Sequence, residues 1–527
     1  MKVVLAEKVS PATLAVFQSE AGWQVLTHDQ VKNLPESLAD ADALVVRSAV
    51  QVDDALMAAA PKLRVIGRAG VGVDNIDAEA ATRRGIVVMN TPGANAIAVA
   101  ELALGLMIAL ARQLPKADST MHAGKWEKKS LQGSELRGKK LGILGLGRIG
   151  LEVARRARQF GMELIGHDPF VSASIARENA IRLVSAEELF AVSDYITLHV
   201  GLTPQTEGIV NAASLATMKK GVRIVNCARG ELVVEADLAE ALKSGQVAGA
   251  ALDVFHEEPP KNSPFASLDN VILTPHIAGS TAEAQEAVGI QIAIQVREYL
   301  KSGIAQNAVN MPSLSHEEYQ EIAPWMTLAE RLGTFLAQIP RGGIDSIQIA
   351  YHGRLAETKT ELVRNAAIAG VLGHLEQVNR INAASVAAER GIRLHEEKKE
   401  APAGAAGSVL QLSLHTSETS ITASGAVLHG DAPRLLHLDG IDIEAPLQGT
   451  LITIRNKDVP GVIGRIGTIL GQHNVNIANF ALGRANGTGS EPASAIAVVQ
   501  VDGNVTDEAL RELRAVPAIT GVRLVTL

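Results

Sequence analysis

The stretch Lys140-Leu141-Gly142-Ile143-Leu144-Gly145-Leu146-Gly147-Arg148-Ile149-Gly150 decides the fold. A short apolar strand runs into three glycines spaced G-x-G-x-x-G, and residues 151–160 then carry a helical pattern. Strand, glycine turn and helix in that order form a phosphate cradle. Gly145 permits the tight turn, Gly147 lets backbone approach a pyrophosphate, Gly150 permits close helix packing, and the helix N-terminus presents free N–H donors. Arg148 adds a positive charge at the same place. The next strand ends at Asp168, where a carboxylate would accept ribose hydroxyls and repel a 2′-phosphate, so NAD is expected rather than NADP. A second glycine string, Gly67-Arg68-Ala69-Gly70-Val71-Gly72, opens no clear helix and lacks a correctly spaced third glycine. It reads as a substrate loop.

Outward from this point, β-rich runs at 163–167, 195–198, 223–226, 249–252 and 271–273 each lead into Gly, Asp, His, Cys or Pro. Ligands of open parallel sheets bind at such carboxyl ends. An earlier set, 2–6, 43–47, 65–68 and 87–89, alternates with Ala-rich amphipathic segments and predicts a first parallel α/β unit. The pattern breaks at 306–314, which reads as a linker. Beyond it, long helical patterns at 317–338 and 358–388 mix with strands at 344–351 and 408–414, and the charged, Gly/Ala-rich piece 396–407 reads as a solvated turn. From 449 the order is strand, helix, strand, a loop at 483–492, strand, helix, strand. That is a small ferredoxin-like βαββαβ module.

A chain of 527 residues is too long for one ordinary core, so several domains are expected. A formal charge of −8 gives no footprint for nucleic acid, and the single cysteine, Cys227, excludes an internal disulfide framework and a Cys-based zinc cluster. No metal site is expected, and a reducing cytoplasm suits the composition. Residues 94–111 are almost wholly apolar, but Glu101 interrupts them and Ala and Gly dominate. They read as a helix buried between domains or subunits, not as a membrane span.

Three later segments carry chemistry: Asn226-Cys227-Ala228-Arg229-Gly230, Asp253-Val254-Phe255-His256-Glu257-Glu258-Pro259, and Pro275-His276-Ile277-Ala278-Gly279. Hydride transfer from a C–H beside a hydroxyl needs a base for the hydroxyl proton, and His276, directly after a strand, is the best placed of the 14 histidines. An acid from the Glu257-Glu258 pair would orient the imidazole, and Arg229 offers a carboxylate a bidentate fork.

The order and wording of these segments resemble the D-2-hydroxyacid dehydrogenases, and over its whole length the chain resembles the long-form branch of that family that acts on D-3-phosphoglycerate. The resemblance implies two Rossmann-like α/β domains, an α+β intervening domain and a C-terminal ACT domain. It places a substrate-binding domain at 1–95 plus 285–314, completed by a returning helix near 283–300. The NAD-binding domain would span 96–284, the intervening domain 315–448 and the ACT domain 449–527. It selects Glu258, the acid before proline, as the third catalytic residue beside Arg229 and His276. Around NAD it implies Gly145, Gly147, Arg148, Ile149, Gly150, Asp168, Val200, Cys227, Ala228, Arg229, Asp253, His276, Ala278 and Gly279. Toward substrate it implies Arg47, Ser48, Gly70, Val71, Gly72 and Asn95. Asn456, Asp458 and Asn476 fall where such ACT domains bind L-serine, although an aromatic or His is frequent at the position of Asn456. The lysines Lys125, Lys128 and Lys129 around Trp126 read either as phosphate ligands for a neighbouring subunit or as a solvated face. The implied activity is oxidation of D-3-phosphoglycerate at the start of serine synthesis by a homodimer or homotetramer. The alternatives are another D-2-hydroxyacid dehydrogenase acting on glyoxylate or hydroxypyruvate, and a non-catalytic NAD-sensing protein.

Overall fold

The computed structural model describes residues 1–340, 342–373, 375, 378–401, 407–485 and 493–527. The first sheet holds β1 (Lys2–Leu5), β2 (Gln24–Leu26), β3 (Ala43–Val46), β4 (Val65–Arg68) and β5 (Val87–Met89), all parallel in the order β2-β1-β3-β4-β5. Every position of β3 and β5 is buried, which is why these strands read as unbroken apolar runs. Helix Ala282–Ser302 returns from far along the chain and lays Val288, Ile292, Ala293 and Val296 into the core formed by Val3, Leu5 and Val65.

The second sheet holds β6 (Lys140–Leu144), β7 (Glu163–His167), β8 (Arg182–Leu183), β9 (Tyr195–Leu198), β10 (Val222–Asn226), β11 (Val247–Leu252) and β12 (Val271–Leu273). They are parallel, in the order β12-β11-β10-β9-β6-β7-β8. Strand order reverses between β6 and β9, which creates the crevice where ligands of such sheets bind. Helix Ala96–Arg112 leads into this unit and buries Val99, Ala103, Leu106 and Met107 in its core. Within one chain the helix is not enclosed: Ile97, Glu101 and Gly105 lie exposed along one face. No single described helix is long and apolar enough to cross a membrane. By length and composition only one pair passes, this helix with Leu114–His122, which is bent by 65°.

The third sheet joins β13 (Ile344–His352), β14 (Arg393–Lys399), β15 (Val409–Thr416), β16 (Ser420–Leu428), β17 (Ala432–Leu438) and β18 (Ile441–Pro446) in the order β14-β13-β15-β16-β17-β18. Helices His316–Ala337 and Thr360–Leu372 share its core. In the fourth sheet β19 (Thr450–Lys457), β20 (Asn476–Arg484), β21 (Ser494–Asp502) and β22 (Ile519–Thr526) are antiparallel in the order β20-β21-β19-β22. With helices Val462–Gln472 and Asp507–Ala515 they complete the βαββαβ module. The four-unit fold class is the one expected.

Several local expectations need correction. The helical pattern over 358–388 is not one helix: it is split between helix Thr360–Leu372 and helix Ala383–Glu389. The reason is tertiary, since between the helices the Asn379 and Asn382 amides donate to the Gly85 and Arg83 carbonyls of the first unit, at 2.8 and 3.1 Å. Residues 396–399 belong to strand β14, not to a turn. They are charged because β14 is an edge strand with little buried surface, and charge on such an edge discourages further pairing. The rest of that expected turn includes 402–406, outside the described residues, as is 486–492 of the C-terminal loop. The stretch 306–314 is pinned to the sheet edge and is no free linker. Val309 N–H donates to Val88 O at 2.8 Å, and the Asn310 side chain bonds both Val88 N–H and Ile86 O.

Two helices of the third unit cross at backbone distance. A Cβ on Gly370 would fall 2.0 Å from Glu330 O, and one on Gly333 would fall 2.3 Å from Ala367 O. Alanine normally gains about 1 kcal/mol over glycine inside a helix. At Gly370 overpacking against rigid backbone, of about 1 to 3 kcal/mol, outweighs that gain. Gly370→Ala is therefore expected to lower the urea midpoint of the full chain, and a raised midpoint would show that the crossing yields readily.

Candidate active site

The glycine turn shows separate reasons for its three glycines. Gly145 has φ +94°, and a Cβ on it would fall 2.6 Å from His199 O. A Cβ on Gly150 would fall 2.0 Å from Gly145 O. Gly147 caps helix Arg148–Gln159, and a Cβ on it would meet nothing within 4 Å. The chain itself does not require glycine there, whereas a pyrophosphate lying against the backbone does. The residues present thus fit a dinucleotide. The helix starts at Arg148, with Ile149 in its first turn, three residues earlier than its pattern suggested.

Asp168 follows β7, and its two carboxylate oxygens accept the Leu146 and Phe170 N–H groups, each at 2.8 Å. It braces the glycine turn as well as standing where ribose hydroxyls are expected. The Arg148 guanidinium reaches the Pro92 carbonyl of the first unit and lies against Gly93. It bridges the two units, a contact the sequence did not suggest. Val200 adjoins Gly145 beyond β9. Next to it His199 is half-buried: Nε2 meets Thr197 Oγ1 at 2.8 Å, the buried Nδ1 has no hydrogen-bond partner among the described residues, and burial pushes its pKa down to about 3.

Beyond β10, Asn226 staples the turn that carries the cation. Its Oδ1 accepts from Ala228 N–H at 3.0 Å and its Nδ2 donates to Arg229 O at 2.7 Å. Cys227 is buried, and burial followed by the charge of Asp253 pushes its thiol pKa up, so it packs as an inert group. The Arg229 guanidinium donates to Ala228 O at 2.7 Å and pairs with Asp74 of the first unit at 3.1 Å. A Cβ on Gly72 would fall 2.1 Å from Arg229 Nη2, so the loop Gly70-Val71-Gly72 and Arg229 share one space. Arg68 stands against Gly70 with its Nε buried and unpartnered among the described residues, and burial, then the charge of Arg229, lower its pKa.

The loop at Arg47 and Ser48 wraps a carboxylate: Glu7 accepts the N–H groups of Arg47, Ala49 and Val50 at 2.8 to 3.3 Å. Asn75 fastens the same loop through the carbonyls of Arg47 and Val50. Asn95 precedes helix Ala96–Arg112 without capping it. Its Oδ1 is buried and unpartnered among the described residues, and its Nδ2 would lie 3.0 Å from a Cβ on Gly279.

His276 Nδ1 lies 2.6 Å from Glu258 Oε2, and the other Glu258 oxygen accepts Phe255 N–H at 3.1 Å. Nε2 has no hydrogen bond among the described residues, and the side chain is 51% exposed. His276 holds φ +50°, an unusual value for a residue with a side chain. Asp253 imposes it. This fully buried carboxylate accepts Thr274 Oγ1–H at 2.6 Å and the Ile277 and Ala278 N–H groups at 2.9 Å, while Asp253 O accepts His276 N–H at 2.9 Å. The structure thus gathers Arg229, Glu258 and His276 at the ends of three adjacent strands. It adds Arg68, Asp74, Glu7, Asn75, Asn226 and Thr274, which the sequence reading did not single out. Arg68 lies within the glycine string and Asp74 just beyond it, and only that position hinted at them. Trp126 is 80% exposed, and none of Lys125, Lys128 or Lys129 has an ion pair among the described residues.

Family models match three regions: the NAD-binding domain of D-isomer specific 2-hydroxyacid dehydrogenases over 104–278, the D-3-phosphoglycerate dehydrogenase intervening domain over 321–439, and an ACT domain over 450–518. A D-3-phosphoglycerate dehydrogenase of Methanocaldococcus jannaschii is 39% identical, with 100% of each chain covered. One of Bacillus subtilis is 36% identical, covering 100% of this chain and 99% of its own. The chain belongs to the D-3-phosphoglycerate dehydrogenase family. Like the family, it is an NAD-dependent oxidoreductase. Solved structures match its catalytic half. A glyoxylate reductase from Paecilomyes thermophila superposes with TM-score 0.53 at 33% identity, over 59% of this chain and 98% of that one. A D-lactate dehydrogenase from Aquifex aeolicus, solved with NAD and lactic acid, gives TM-score 0.53 at 26% identity, over 59% of this chain and 100% of that one.

In the ACT domain of this family member, Asn456 and Asp458 line a cavity of about 330 Å³ with Gly461, Phe480 and Arg484. Asn456 lies on β19, buried and with Oδ1 unpartnered among the described residues. Asp458 pairs with Arg484 at 3.2 Å. Asn476 does not join them: at the other end of β20 it bonds Asp502 at 2.8 Å.

Asp253→Ala is expected to lower kcat by about 10²-fold, because misplacing a catalytic group by about 1 Å costs that much, while NADH still binds. Unchanged kcat would show that His276 keeps its place without the carboxylate. His199 yields a pH prediction. Its folded pKa lies below the ordinary value of 6.5, so as pH falls below 6.5 the unfolded chain takes up a proton that the folded chain refuses. Stability then declines toward about pH 3, by up to about 1.4 kcal/mol per pH unit. Comparing denaturant midpoints at about pH 7.5 and 5, His199→Asn should lose less stability than the wild type; parallel losses would acquit His199.

Proposed function

We propose that the chain oxidises D-3-phosphoglycerate to 3-phosphohydroxypyruvate with NAD, the entry to L-serine synthesis. The observation that carries this reading is the Glu258–His276 pair; Arg229 follows β10, which neighbours β11 in the same sheet, and the second guanidinium, Arg68, is near Arg229. Glu258 engages Nδ1, so Nε2 takes the proton of the substrate hydroxyl, and the imidazolium that forms sits against a carboxylate. Arg229 holds the substrate carboxylate and the neighbouring oxygen with its planar fork, which steadies charge developing on that oxygen.

When bound, NAD supplies the acceptor for the hydride that leaves the substrate carbon. Gly145, Gly147, Arg148, Ile149 and Gly150 with Asp168 hold the dinucleotide, and Val200, Cys227, Ala228, Asp253, Ala278 and Gly279 form the wall around it. The phosphate end of the substrate meets Arg47, Ser48, Arg68 and the backbone of Gly70, Val71 and Gly72, and Asn95 faces the cleft where the two units meet. Regulation is assigned to the ACT cavity, with L-serine on Asn456 and Asp458. Asn476, remote within one chain, contributes from a second copy, so the assembly is a homodimer or homotetramer. The inert, buried thiol suits the cytoplasm.

His276→Ala should lower kcat by on the order of 10²-fold or more with NADH affinity kept, and Arg229→Lys should lower kcat/KM because the fork is lost. Near-normal turnover in either variant would remove that residue from its role. The direct test follows NADH formation from D-3-phosphoglycerate at alkaline pH with the product trapped, with and without L-serine. Turnover that serine suppresses supports both parts of the reading. Turnover indifferent to serine keeps the reaction and discards the effector, and no turnover assigns the site to another 2-hydroxy acid.

A further inference from the structure

The loop Gly70-Val71-Gly72 leaves β4 beside the end of β5, and the two residues that follow β5 take hold of it. Thr91 is fully buried, so its side chain must find a partner within the protein. That partner is Gly70 O, to which Thr91 Oγ1 donates at 3.2 Å and Thr91 N–H donates at 2.9 Å. Both lone pairs of one carbonyl are thereby filled. Asn90 Nδ2 donates to the next carbonyl along, Val71 O. The anchors are themselves fixed, since Asn90 N–H donates to Asn307 O at 3.2 Å and Met89 bridges to Ala308.

Holding a carbonyl also aims an N–H. A peptide unit is planar and trans, so its C=O and the N–H of the following residue point to opposite sides. With Gly70 O turned to Thr91, Val71 N–H must point away from Thr91. With Val71 O turned to Asn90, Gly72 N–H must point away from Asn90. Neither N–H makes a hydrogen bond among the described residues, and both residues are half-buried. Gly72 also borders the catalytic cation, because a Cβ on it would fall 2.1 Å from Arg229 Nη2. Two free N–H donors next to a guanidinium suit the oxygens of an acid.

We propose that Asn90 and Thr91 are positioning residues: by holding the Gly70 and Val71 carbonyls they turn the Val71 and Gly72 N–H groups to an acidic substrate beside Arg229. The inference rests on the reading that a 2-hydroxy acid is held at Arg229, and it adds to that reading the side chains that set the loop. Each acts through a peptide plane and not by touching the substrate. The N–H groups they aim grip the acid away from the bonds that break, so they strengthen ground state and transition state alike.

The test compares Thr91→Val, Thr91→Ser and Asn90→Ala in the full chain. Valine keeps the branched shape of Thr91 without the donor, and serine keeps the donor. The probe is oxalate, a planar dianion shaped like the acid end of a 2-oxo acid, titrated calorimetrically into the chain saturated with NADH. The wild type should bind oxalate in a one-to-one ratio. Thr91→Val should weaken oxalate about fivefold and Asn90→Ala about tenfold, with NADH affinity kept, while Thr91→Ser should stay within about twofold of the wild type. With D-3-phosphoglycerate the same losses should fall on KM and not on kcat. The inference is overturned if the wild type binds no oxalate, if Thr91→Val and Asn90→Ala both bind it as the wild type does, or if Thr91→Ser is as weak as Thr91→Val. It is also overturned if NADH affinity falls in step with oxalate, or if the loss falls on kcat with KM unchanged. The Thr91 pair decides the matter alone if Asn90→Ala does not fold. Oxalate binding in the expected pattern, with D-3-phosphoglycerate left unoxidised by the wild type, removes the substrate reading and upholds the inference.

Discussion

The buried Asp253 carboxylate is the constraint on which the catalytic end of the molecule depends. A charge removed from water is tolerable only when its acceptor sites are filled, and here Thr274, Ile277 and Ala278 fill them. All three donors lie on the segment that carries His276. The need to satisfy one carboxylate therefore determines the path of that segment, forces His276 into a positive φ, and aims the imidazole at Glu258. Parallel strand order does the rest. β10, β11 and β12 are neighbours, so residues far apart in the chain emerge side by side.

The two catalytic units are held across their cleft by a few directional contacts and not by a shared core. Arg148 reaches the Pro92 carbonyl, and Arg229 reaches Asp74, each crossing from the nucleotide unit to the first unit. Helix Ala282–Ser302 is the exception, since it continues from the His276 segment directly into the core of the first sheet. On the far side, Asn379 and Asn382 fasten the intervening domain to the end of the first unit's helix Ala78–Arg83. The ACT domain shares a core with the intervening domain through Leu451, Ile496, Val498 and Val525, and Gln338 bonds Thr526 O at 3.0 Å and receives Thr526 N–H at 3.1 Å.

Arg229 and His276 stood out in the sequence because each lies within three residues of a strand-like run and because the order of the segments is distinctive, whereas Glu258 was separated from Glu257 only by the family resemblance. The glycine turn was legible for the same reason: local chemistry and local structure coincide there. Asp74, Arg68, Glu7 and Asn226 were not, since each acts by touching something distant or by satisfying backbone, and a lone Asp or Arg after a strand carries no such mark. The break after Leu372 was hidden because an apolar helical pattern continues through residues whose amides dock on another unit. β14 was hidden because an edge strand with little buried surface lacks apolar alternation. Asn476 matched a motif position, yet one chain holds it at the opposite end of its strand from Arg484 and the cavity.

The pairing of Arg229 with Asp74 changes the nature of binding at this site. An isolated guanidinium gains a counter-ion when an anion arrives. Arg229 already has one, supplied by a carboxylate that is 73% exposed and free to swing into water. On the proposed role of Arg229, capture of an acid there would exchange one carboxylate for another, and its favourable electrostatics would be a small difference between two similar contacts. Selectivity must then come from what the second carboxylate brings with it, and the removal of Asp74 loosens the grip of the nucleotide unit on the first unit just when the cleft is filled. Given that role, this ion pair ties anion binding to a contact between the two units.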